Sequence, residues 1–121
     1  MRRRVVITGL GWVTPLGADI EPTWRRMVEG HTGIGPITVF DAANSPVQIA
    51  AEVSDWDIGS VAGNLSGWQL ESRQTTFAVG AAISAIRQSC LTTGPYDPAR
   101  VGISMGCGEV FPNFLPVSYT H

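Results

Sequence analysis

Arg4-Val5-Val6-Ile7-Thr8-Gly9-Leu10-Gly11 decides how the rest of the chain is read. A β-branched run with apolar residues in consecutive positions suits a strand covered on both faces, and the glycines that close it mark a tight turn. Strands of that kind belong to sheets flanked by helices, so an α/β fold class is expected. Downstream, Asp19, Glu21 and Pro22 precede Trp24, Met27 and Val28 at helical spacing, which predicts a helix that Gly30 stops. His31 to Pro46 holds Gly33-Ile34-Gly35-Pro36 and Asn44-Ser45-Pro46 and reads as a looping connection, followed by a strand over Val47 to Val53. Ser54 to Trp68 reads as a loop with at most short helical turns.

The longest regular element is a helix from Glu71 to Cys90, with Phe77, Ala81, Ala82, Ala85, Ile86 and Ser89 three and four residues apart on one face. Side chains this small imply close packing. Gly80 costs about 1 kcal/mol relative to Ala inside a helix, which suits a backbone or helix passing very near it. Thr92-Thr93-Gly94-Pro95 ends the helix, and Arg100 to Met105 reads as a second buried strand leading into Gly106-Cys107-Gly108-Glu109. Sites commonly lie just past such strand ends.

Composition bounds what the chain does. With 121 residues, 44% hydrophobic and 15% charged, it is large enough for one globular domain. Its basic residues are all Arg, eight against ten acids, for a net charge of −2, and the only basic cluster is Arg2 to Arg4. That balance excludes a nucleic-acid partner. No stretch reaches the roughly 18 apolar residues of a membrane span, and no signal-peptide pattern opens the chain, so no membrane association and a cytoplasmic location are expected.

Several motifs have bland readings that win. Gly9-Leu10-Gly11 suggests a dinucleotide turn, but Trp12 is bulky, Thr14 stands where Gly or Ala is needed and Pro15 removes an amide donor, so a structural turn and no cofactor are expected. The two cysteines, Cys90 and Cys107, have no CxxC spacing, and the two histidines, His31 and His121, form no cluster with them, which excludes a metal site. Both cysteines read as small buried thiols, Cys90 as part of the helix core. Trp12, Trp24, Trp56 and Trp68 read as core or interface anchors.

Taken in order, Arg4 to Gly11, Thr14-Pro15-Leu16-Gly17, Gly33 to Ile37, Phe40-Asp41, Ile49 to Val53, Thr76 to Ala82 and Arg100 to Ile103 resemble the opening of a β-ketoacyl-acyl carrier protein synthase of the elongating type. The resemblance covers nearly the whole chain. It implies part of a thiolase-like αβαβα fold, with residues 1–111 as an incomplete N-terminal domain and 112–121 as a divergent, non-native tail. It also implies an acyltransferase of fatty acid biosynthesis that loads an acyl group onto a cysteine and condenses it with malonyl-carrier protein, releasing CO₂. Acyl carrier protein and acyl and malonyl thioesters are its implied partners, and the parent is implied to be a homodimer.

That chemistry needs an activated thiolate, an oxyanion hole and two imidazoles. None of Cys90, Cys107, His31 and His121 matches the family's positions for these groups, so no catalytic residue is carried over and the chain alone is expected to be inactive. The resemblance implies one substrate-binding turn, at Gly108 and Glu109, where an aliphatic residue in the elongating enzymes borders the acyl pocket. A carboxylate there would have to be solvated, paired or protonated. The competing reading is a non-catalytic module binding an acyl chain or acyl carrier protein.

Overall fold

The computed structural model describes residues 3–63, 71–106 and 108. The elements run in the order α1 (Ile20–Val28), β1 (Ile34–Pro36), β2 (Ile49–Ala51), α2 (Gly59–Ala62) and α3 (Arg73–Gln88), followed by a 3₁₀ turn at Pro98–Arg100.

Helix α1 forms where the sequence predicts it. Asp19 stands at its N-cap in extended conformation, Glu21 lies in the first turn, and Arg25 and Arg26 lie in the last, so the charges complement the helix dipole. Gly30, at φ +79°, ends it as expected. Its amide donates to the Met27 carbonyl and that of His31 to Arg26, the paired bonds of a Schellman cap. The buried residue is Thr23, at 1% exposure, whereas Trp24, Met27 and Val28 all face outward. Thr23 is buried because Gly17 sits against it: a Cβ on Gly17 would stand 2.7 Å from the Thr23 hydroxyl.

Helix α3 also matches its predicted span closely. Ser72 caps it by accepting a hydrogen bond from the Thr75 amide. Its other end repeats the cap of α1 without a glycine, since the Cys90 amide donates to Arg87 and the Leu91 amide to Ile86. Cys90 takes the left-handed position, φ +53°, and is exposed. The expectation of a buried helical thiol is therefore corrected: the residue after the C-cap projects beyond the packed face.

Small residues on α3 do receive a backbone, but not at Gly80. A Cβ on Gly11 would collide with the Ala81 carbonyl, and one on Gly9 with the Ala85 carbonyl and with Ser89. The Leu10 amide donates to the Gln88 side-chain carbonyl at 2.6 Å. At Gly80 the close neighbour is the Trp56 indole, which meets Phe77 edge-on with ring centroids 5.5 Å apart. The Arg73 guanidinium lies 4.8 Å from the centre of the Phe77 ring and donates to the Val53 carbonyl. This cluster holds α3 to the chain entering α2, where Ile58 is buried.

The sheet departs most from expectation. Among the described residues it has two antiparallel strands, with Ile34 opposite Ala51, Gly35 opposite Ala50 and Pro36 opposite Ile49. β1 thus lies inside the segment read as a looping connection, and the strand expected over Val47 to Val53 is confined to Ile49–Ala51. Neither expected buried strand forms. Residues 3–8 and 101–106 enter no ladder, and Val5 is 92%, Ile7 81% and Ile103 75% exposed. Val5 to Ile7, apolar on both faces, needs a hydrogen-bonded neighbour and a layer on each face, and 101–106, whose apolar residues alternate with Gly102 and Ser104, needs a neighbour and one covered face; no other described element supplies them.

Glu52, one residue past β2, fastens the hairpin. Its carboxylate accepts from the Thr38 hydroxyl at 2.6 Å, from the Thr38 amide at 3.0 Å and from the Val39 amide at 3.4 Å. The Thr38 hydroxyl, then the Thr38 amide, hold its carboxyl below the usual glutamate value; desolvation opposes them and the Val39 amide adds to the lowering.

Three outcomes follow from this packing. The isolated 121-residue chain is expected to self-associate and to bind a hydrophobic dye through Val5 to Ile7 and Ile103, and a sharp cooperative melt from a monomer would contradict this. Gly11→Ala is expected to cost about 1 to 3 kcal/mol by overpacking against Ala81, measured as faster proteolysis within α3, while Gly35→Ala, which meets open space, leaves the rate unchanged. Because the folded-state value of Glu52 is depressed, its contribution is present above the unfolded value and is lost as pH falls through the folded one. Hydrogen-exchange protection at Thr38 and Val39 should therefore fall on acidification and start lower, without that pH dependence, in Glu52→Gln.

Candidate functional site

Thr14-Pro15-Leu16-Gly17 folds into a closed turn. The Thr14 amide donates to the Gly17 carbonyl at 3.1 Å and the Gly17 amide to the Thr14 carbonyl at 3.0 Å, while the Thr14 hydroxyl also donates to Gly17 and accepts from the Leu16 amide. Gly17 adopts φ +141°, a value that suits glycine. The Pro15 ring rests against Gly33 at the entry to β1, where a Cβ would stand 2.8 Å from it. One turn therefore joins α1, through Thr23, to the hairpin, through Gly33.

A cleft of about 390 Å³ opens between this turn and residues 52–56, with Arg26, Ser60 and Ser84 also lining it. Its polar groups are largely committed to structure. Arg26 donates to the Leu16 carbonyl at 2.8 Å, and Glu52 is engaged with Thr38 and Val39. The Ser60 hydroxyl donates to the Asp57 carbonyl at 2.7 Å and the Ser84 hydroxyl to the Gly80 carbonyl at 3.1 Å. Neither Ser60 nor Ser84 is paired with a general base, and among the described residues no histidine or cysteine lines the cleft. The geometry suits a junction between elements and assembles no nucleophile with a base.

Of the predicted substrate-binding turn, neither Gly106 nor Gly108 is among the described residues that line that cleft. Gly106 and Gly108 are exposed, and a Cβ on either would meet nothing within 4 Å. Cys107 and Glu109 lie outside the described residues, as does the tail from 112 to 121. His31 sits at the end of α1, where its ring Nε2 lies 3.2 Å from Glu29 on the surface. Among the described residues no group of three or more His, Cys, Asp and Glu side chains could hold a metal. No helix among them is long and apolar enough to cross a membrane.

Gly9-Leu10-Gly11 fails two physical requirements of a dinucleotide site. Its glycines are spent on the carbonyls of α3, and no helix starts directly behind it, since α1 begins at Ile20. Sequence reasoning missed the fastening roles of Glu52 and Arg26. Their partners lie fourteen and ten positions away in the chain, and neither distance leaves a local motif.

Comparison with known proteins gives this geometry a context. The family model described as the β-ketoacyl synthase N-terminal domain matches residues 2–113. The chain is 41% identical over 107 residues to 3-oxoacyl-[acyl-carrier-protein] synthase 2 of Coxiella burnetii, covering 88% of this chain and 26% of that protein. It is 38% identical over 108 residues to the granaticin polyketide putative beta-ketoacyl synthase 1 of Streptomyces violaceoruber, covering 88% and 25%. Among solved structures, the ishigamide ketosynthase/chain length factor superposes with a TM-score of 0.65 at 31% identity, over 74% of this chain and 22% of that one. The chain therefore spans about a quarter of the length of the curated relatives it matches. With the family model matched over residues 2–113 and its fold shared with a ketosynthase, the chain belongs to the β-ketoacyl synthase N-terminal domain family.

Proposed function

We propose that these 121 residues are the scaffold-forming N-terminal part of a 3-oxoacyl-[acyl-carrier-protein] synthase, which condenses an acyl thioester with malonyl-acyl carrier protein in fatty acid biosynthesis. The observation that carries the reading is the unbroken family match over residues 2–113, supported by relatives named as such synthases. In this reading the enzyme is a cytoplasmic homodimer whose partners are acyl carrier protein and its acyl and malonyl thioesters. It needs no cofactor. The nucleophilic cysteine, the oxyanion hole and the two imidazoles are supplied outside this chain, which by itself is inactive.

The cleft fits such a division of labour. Its arginine, the Glu52 carboxylate and the hydroxyls of Thr14, Ser60 and Ser84 are bound to other protein groups, which suits a joint between elements better than a reaction centre. In the same reading residues 1–111 form the family domain, the tail from 112 to 121 departs from it, and Gly108 and Glu109 border the acyl chain. A carboxylate in that position shortens the apolar wall unless it turns toward water.

The decisive experiment is to sequence the locus past the codon for His121, express the reading frame found there, and assay it with acyl- and malonyl-loaded carrier protein. Release of CO₂ and a 3-oxoacyl product two carbons longer from the extended protein, and none from the 121-residue chain, is the expected result. A stop directly after His121, together with saturable binding of acyl carrier protein by the chain itself, would replace the enzyme with a non-catalytic binding module. In the extended enzyme, Glu109→Leu should shift the product profile toward longer acyl chains. An unchanged profile would remove Glu109 from the pocket wall.

A further inference from the structure

We draw no further inference here: the strongest candidate, the exposed apolar surface of the β1–β2 hairpin and its connection, with Ile34, Val39, Phe40, Val47 and Ile49, carries nothing because nothing in the structure shows what covers it.

Discussion

Among the described glycines the tightest approach is that of Gly9 and Gly11 to the flank of α3, and the placement of both segments depends on it. Main chain can lie on a helix only where both surfaces lack bulk. The two glycines supply one such surface, and Ala81, Ala85 and Ser89 supply the other. The 2.6 Å bond from the Leu10 amide to the Gln88 side chain then satisfies a backbone donor that this approach takes from water. Residues nearly eighty positions apart are thereby fixed side by side, and a residue larger than glycine at position 11 would meet main chain, which cannot rotate away.

From that contact the fold propagates through polar groups more than through an apolar core. Among the described residues Ala42 and Ile58 are the buried hydrophobic side chains, while Thr23 and Thr76 are buried polar ones. The turn at 14–17 holds α1 through Thr23 and the hairpin through Gly33, and Arg26 returns from α1 to hold the Leu16 carbonyl. Glu52 closes the hairpin with two groups of Thr38 and one of Val39. Each of these bonds adds only about 1 kcal/mol net, so they fix geometry more than they contribute stability.

Legibility in the sequence followed the range of the interaction. Both long helices were readable because caps, periodicity and stops are local: Asp19 and Gly30 bracket α1, and the 3.6-residue spacing marks α3. Cys90 escaped because a Schellman cap without glycine leaves no compositional trace. β1 was hidden by its own glycine and proline, which usually punctuate loops, and is set by pairing with Ile49 to Ala51, well beyond any local motif. The small stripe of α3 was legible as a close-packing surface, but its partner was not, since spacing says that something approaches and not what. Gly108 and Glu109 are assigned to the substrate by resemblance alone, and Glu109 lies outside the described residues. The described surroundings of Gly108 give it no steric reason to be glycine.

Apolar strands and the glycine turn behind them obey one constraint. Val5 to Ile7 carries apolar residues on consecutive positions, a pattern that is stable only between two covered faces, whereas in Val101 to Met105 the apolar residues alternate with Gly102 and Ser104 and need a paired neighbour and one covered face. The first run reaches a fixed position at its end because Gly9 and Gly11 dock on α3. The second leads into Gly106 and Gly108, where a Cβ would meet no neighbour. A turn at the end of an unpaired strand takes its position from whatever pairs the strand. Under the proposed function, an acyl-binding wall at 108 and 109 would therefore depend first on what pairs residues 101–106, and the identity of residue 109 would matter only after that pairing.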